Sequence, residues 1–150
     1  MAWLKHKMTI DKKTIQEKLF KLQESIKVLN ELKDEPQKTF LNDPKTNGAA
    51  MFNLIISIEL IVDIGNHILT EAFQRPAKTY RDVIIELGKA GVFPEEFSAR
   101  NEFMADFRNK LIHDYDRVSL EKVYEILQKA PDVFREFAKY FVNFLEKNND

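Results

Sequence analysis

Apolar residues return every three or four positions along the whole of this chain, and nowhere do they alternate for the length of a strand. That period confines the fold to packed helices. Ile15, Leu19, Leu22, Ile26 and Leu29 mark one face of a first helix that follows a cap at Asp11 and stops before Pro36. Asp43 and Pro44 suit the cap and first position of a second helix, which runs to about Gln74, ahead of Arg75-Pro76. Thr79, with Asp82 three positions on, opens a short third helix that Gly88 and Gly91 close. Pro94-Glu95-Glu96 opens a fourth, which carries Phe97, Met104, Phe107 and Leu111. Ser119 caps a fifth with Val123, Ile126 and Leu127 inward, and Pro131 opens a last helix bearing Phe134, Phe137, Phe141 and Phe144. The expected fold is all-α: an up-and-down bundle of three or four long helices with short extras.

A chain of 150 residues fits one domain, residues 1–150, with 1–10 read as an N-terminal extension. Its 23 Lys and Arg against 24 Asp and Glu give a formal charge of -1, so no global field draws it to a polyanion, and any such site must be local. The absence of cysteine excludes disulfides and thiolate metal sites and fits a reducing compartment. The opening MAWLKHKMTID has no apolar run of leader length. The longest apolar stretch, Leu54 to Leu69, is broken by Glu59, Asp63, Asn66 and His67, which argues against a membrane span. A cytoplasmic protein is expected.

One stretch departs from ordinary helix chemistry: Arg108 to Tyr115, RNKLIHDY. On a straight helix Arg108 and Tyr115 fall within about 20° of each other, whereas His113 lies about 140° from Arg108. The three converge only if the helix ends near His113, if long side chains wrap round, or if a second subunit contributes. Asp116-Arg117-Val118 and the Ser119 cap favour an ending there. Arg supplies a fork for phosphate oxygens, His moves a proton near neutral pH, and Tyr offers a hydroxyl. The set suits RNA cleavage without a metal ion, in which a 2'-hydroxyl attacks the adjacent phosphate. Such a step needs a base, an acid and a cation. One chain has one well-placed His, so a two-fold dimer with both motifs in one site is expected. The same spacing is met by an Arg paired with a carboxylate on a neighbouring helix, a His at a helix end and a Tyr packed at the rim, so spacing alone does not decide.

Three blocks in order, SIELIVDIGNHIL, LGKAGVFPEEF and FRNKLIHDYDRVSLEKVYEILQ, resemble the HepT-like family of the HEPN superfamily, whose signature is Arg, four to six residues, then His, with a polar residue after the Arg. Asn109 holds that polar place, and His113 and Tyr115 meet the His-x-Tyr form. The resemblance implies a HEPN-like bundle and a metal-independent endoribonuclease. Such proteins are the toxin of a type VII-like toxin-antitoxin pair and act as homodimers on RNA. The implied antitoxin is an MntA-like nucleotidyltransferase that silences the toxin by adenylylating the motif tyrosine, here Tyr115. Arg108 and His113 would be catalytic and Asn109 would position substrate. The block VDIGNH implies that Asp63 and Asn66 line or brace the site, with Asp63 pairing with Arg108. No cofactor is implied. A second reading is a non-catalytic subunit that docks on a nucleotidyltransferase.

Other polar features have blander readings. Glu59, Asp63, Asn66 and Thr70 form a stripe on a helix otherwise apolar nearly all round, and fit an interhelical network or a solvent-facing strip as well as a site. Glu59, Asp63 and His67 have workable metal-ligand spacing but no clear further ligand, so no metal site is expected. The Phe run of the last helix reads as core rather than a base-stacking platform, and Lys5, His6, Lys7, Lys12 and Lys13 read as a solvated terminus.

Overall fold

A computed structural model describes residues 10–148. Among these residues seven α-helices follow one another: α1 (Lys12–Leu32), α2 (Gln37–Asn42), α3 (Pro44–Phe73), α4 (Tyr80–Lys89), α5 (Glu95–Asn101), α6 (Phe103–His113) and α7 (Leu120–Lys147). No strand occurs among the described residues. The long helices α1, α3 and α7 pack on one another, and α4 and α6 lie against α3, with α5 behind α4. This is the all-α up-and-down bundle with short extra helices that the period required. The expected extension at 1–10 lies outside the described residues, except for Ile10, which packs on the core.

The starts of α1, α3 and α4 are fixed by side-chain caps. Asp11 accepts from the Thr14 N–H at 3.1 Å, Asp43 from the Lys45 N–H at 3.0 Å with Pro44 at the first position, and Thr79 from the Asp82 N–H at 3.0 Å. Between these starts a continuous core assembles. Ile15, Leu22, Leu29, Leu54, Ile64, Leu127, Phe134, Phe137 and Phe141 are fully buried. Phe137 meets Phe97 with ring centroids 4.7 Å apart and Phe93 at 5.5 Å, tying α7 to α5. The Phe run of the last helix is therefore core. α3 is long and apolar enough to cross a membrane by length and composition alone, but half of its most apolar window is buried in the bundle.

Three boundaries differ from expectation. Gly88 does not close α4; it lies inside it, where an added Cβ would stand 2.7 Å from the Ser98 Cβ, so the glycine lets α5 approach α4. Gly91, at φ 80°, makes the turn that follows. The expected fourth helix is two, divided at Glu102, whose carboxylate is held with that of Asp106 by Arg81 at 2.7 and 2.5 Å. Pro131 opens nothing, because it lies inside the 28-residue α7. A proline there costs about 3 kcal/mol against alanine. Phe134, Phe137 and Phe141, each fully buried, contribute about 1.5–3 kcal/mol apiece and outweigh it.

Candidate active site

α6 buries Met104, Ala105, Phe107 and Leu111, and Arg108 sits at the edge of that face, where its long side chain turns between α3 and α4. Its side chain is 16% exposed. Nη2 donates to Glu59 Oε1 on α3 at 2.5 Å, and Nη1 donates to Asn109 Oδ1 at 3.1 Å. The guanidinium carbon stands 4.3 Å above the centre of the Tyr80 ring, at the start of α4. Three elements thus fix one cation. Two of its five N–H donors are engaged, and the buried Nε has no acceptor among the described residues. The group is rigidly placed and still able to donate.

α6 ends at His113, the ending that the residues after it favoured, and no hydrogen bond or ring contact among Arg108, His113 and Tyr115 occurs within one chain. The Asp114 N–H donates to the Lys110 carbonyl at 2.8 Å, but Asp114 itself leaves helical geometry at φ -138°, ψ 37°. A single 3-10 turn, Tyr115–Arg117, follows. His113 is exposed, with no side-chain hydrogen bond or ion pair among the described residues. Tyr115 is 69% exposed. A structural role for the motif accounts for the Arg108–Glu59 pair but not for these two side chains, because a tyrosine placed for packing would not stand so far out.

The expected pairing of Asp63 with Arg108 is not what the fold makes. Arg108 reaches Glu59, one turn earlier on α3, and Asp63 instead faces α1, 3.6 Å from the Lys18 ammonium with its side chain 52% exposed. Asn66 braces rather than lines. Its Oδ1 accepts from the Ala77 N–H at 3.2 Å and so secures the loop that delivers Tyr80. His67 accepts from the Asp11 N–H at 3.2 Å through Nε2, binding α3 to the start of α1. Glu59, Asp63 and His67 are thus committed to three different partners, and no group of three His, Asp or Glu among the described residues could hold a metal ion.

Tyr80 is the residue that sequence reasoning missed. Partial burial pushes its phenol up from the ordinary value of 10.0, the Arg108 charge pulls it down, and Glu59 and Asp63 reinforce the rise. It stays a neutral hydrogen-bond donor across the physiological range. No spacing links position 80 to position 108; only the packing of α4 against α6 joins them.

Residues 22–141 match the family described as Ribonuclease HepT-like. A curated relative, the tRNA nuclease HepT of Aphanizomenon flos-aquae, is 30% identical over 93 residues, which is 59% of this chain and 63% of that protein, a little under two thirds of its length. The solved structure of a tri-AMPylated HEPN toxin of Shewanella oneidensis in complex with its MNT antitoxin superposes with a TM-score of 0.78. It is 22% identical, and the match covers 86% of this chain and 96% of that one. The cytosolic protein YutE of Bacillus subtilis superposes at 0.79 with 20% identity, covering 93% of this chain and 94% of that one. At these identities the structural likeness shows a shared fold.

Proposed function

Because this chain belongs to the Ribonuclease HepT-like family, we propose that it is a metal-independent endoribonuclease whose site is completed by a second copy of the chain. One observation carries the reading: an immobilised, unsaturated guanidinium at Arg108 and, at the end of the same helix, an exposed imidazole at His113 with no side-chain partner among the described residues. Arg108 holds the scissile phosphate and offsets the charge that builds on phosphorus. His113 takes the proton of the 2'-hydroxyl as its oxygen bonds to phosphorus, and the imidazole of the second copy protonates the 5'-oxygen as its bond to phosphorus breaks. The products are a 2',3'-cyclic phosphate and a 5'-hydroxyl. Asn109, bonded to Arg108 and otherwise exposed, positions substrate.

The α3 surface supports the two-fold arrangement. Phe52, 61% exposed, lies two turns before Glu59 on one face of the helix, with Ile55 and Ile56 half-buried between them. An uncovered apolar strip therefore leads to the carboxylate that holds Arg108, and self-association over it brings two motifs together.

Tyr115 is the site of control. A nucleotidyltransferase partner of the MntA kind transfers an adenylyl group from ATP to the Tyr115 oxygen, which loses its proton as pyrophosphate departs. The exposure of that side chain gives such an enzyme access. The added phosphate places negative charge and bulk where RNA must enter. The system is a type VII-like toxin-antitoxin pair acting in the cytoplasm, consistent with the cytosolic structural neighbour.

The test is cleavage of a defined oligoribonucleotide in excess EDTA. Wild type leaves 2',3'-cyclic phosphate ends, and His113→Ala leaves the RNA intact while still binding its nucleotidyltransferase partner. Cleavage by His113→Ala, or loss of wild-type cleavage in EDTA, overturns the reading. A subunit that only docks on a nucleotidyltransferase would cut nothing in either form.

A further inference from the structure

The side of α6 turned away from Arg108 lines a groove against α7. Two hollows of about 600 and 460 Å³ share Phe103, Lys122 and Ile126, so they form one trough. Arg100, Lys110, Arg117, Lys122 and Lys129 lie along it, facing Asp106, Asp114, Glu125 and Glu136. These charges do not cancel. Asp106 is held from outside the trough by Arg81 at 2.5 Å, and Glu125 pairs with Lys122 at 3.5 Å. Arg100, Lys110, Arg117 and Lys129 keep no acidic partner among the described residues, against two unpaired acids, Asp114 and Glu136. The groove thus concentrates positive charge on a chain whose formal total is -1.

The groove also opens toward the site. At about 100° per residue, Phe103, Lys110 and Asp114 share one side of α6, Arg108 lies about 140° round in one sense, and His113 lies about 80° from Phe103 in the other, a further 140° or so short of Arg108. A chain lying in the groove reaches His113 by rounding the C-terminal end of α6, and Arg108 beyond it. Phe103, 46% exposed, is the one exposed large apolar side chain on the trough. Docking of a protein helix would lean on a row of such anchors. Spaced cations around a single accessible ring suit a phosphate backbone with a stacked base.

We propose that this groove binds the single-stranded RNA flanking the scissile phosphate, its phosphates against Lys110, Arg117 and Lys129 and one base on Phe103. This rests on the ribonuclease reading above and adds the path of its substrate.

The measurement is binding of a fluorescein-labelled, mixed-sequence 16-nucleotide RNA across a salt series, in the His113→Ala background so that the probe survives. Arg117→Gln/Lys129→Gln, both at exposed positions, is expected to weaken binding about tenfold or more and to lower the salt slope by about 1.4, at about 0.7 for each phosphate no longer neutralised. Phe103→Ala is expected to weaken it on the order of tenfold with the slope unchanged. Lys21→Gln/Lys38→Gln, with the same loss of charge on α1 and α2, leaves both values in place. Groove variants that bind like this control overturn the proposal, as does a loss confined to binding of a protein partner. If the groove variants lose RNA but the wild type never cuts it, the ribonuclease reading fails alone; if His113→Ala abolishes cutting and the groove variants bind normally, the groove fails alone.

Discussion

At the level of single residues the candidate site is built on asymmetry between Arg108 and His113. Arg108 is held by Glu59 and stacked on Tyr80, so it spends little entropy when phosphate arrives; His113 has no such ties. Replacing Tyr80 by Leu removes the ring face under the guanidinium, an interaction of about 0.5–2 kcal/mol, and should lower kcat/KM about 2- to 30-fold. Tyr80→Phe should restore most of it. Equal activity in the Leu and Phe variants would show that the ring does not act on Arg108. His113→Ala should abolish cleavage yet leave the urea-unfolding free energy within about 0.5 kcal/mol of wild type, since the side chain is exposed and unpartnered. Arg108, Asn109, His113 and Tyr115 could be proposed together because they lie within eight consecutive residues. Glu59 was visible only as one of two acids on a polar stripe. Which of them Arg108 meets depends on where α6 crosses α3, and a sequence period carries no such information.

At the level of elements, the caps at Asp11, Asp43 and Thr79 were readable because each is a contest settled within four residues. Pro131 and Glu102 were misjudged because distant packing decides them: the phenylalanines of α7 override a proline, and α5 and α6 part within a pattern that continues across the break. Gly88 is the sharpest case. Alanine there gains about 1 kcal/mol of helix propensity but must displace Ser98, whose hydroxyl donates to the Ile84 carbonyl at 2.9 Å. Gly88→Ala is expected to destabilise by about 1–3 kcal/mol in urea titration; a stabilised variant would mean that α4 and α5 are less tightly apposed. The capping carboxylates also set the acid limb of stability. The Thr14 hydroxyl and N–H hold Asp11 below its ordinary 3.8, and the Thr46 hydroxyl with the Lys45 N–H does the same for Asp43. A depressed folded value means that their contribution is complete above the ordinary 3.8 and is lost as the pH falls through the lower folded value. The Asp11→Ala/Asp43→Ala variant should melt at lower temperature at about pH 7 and lose less on acidification from about pH 5 to 3. An acid limb identical to wild type would remove the caps from that role.

At the level of the whole molecule, a near-neutral bundle has no global field to gather RNA, so the proposed activity rests on local features: one groove with surplus positive charge, one rigid arginine, and an apolar strip that a second copy can cover. The sequence foretold the bundle because helical period and helix ends are local properties. The proposed assembly came from the family resemblance and from chemistry, since one histidine cannot serve as both base and acid in the same step. The decisive measurement is the activity of purified heterodimers of one wild-type and one His113→Ala chain, separated by differential tags and assayed before their subunits exchange. A composite site needs both imidazoles, so cleavage should fall to the level of the double mutant. Half of wild-type activity in the heterodimer would show that each chain cuts alone, and the two-copy mechanism would be wrong.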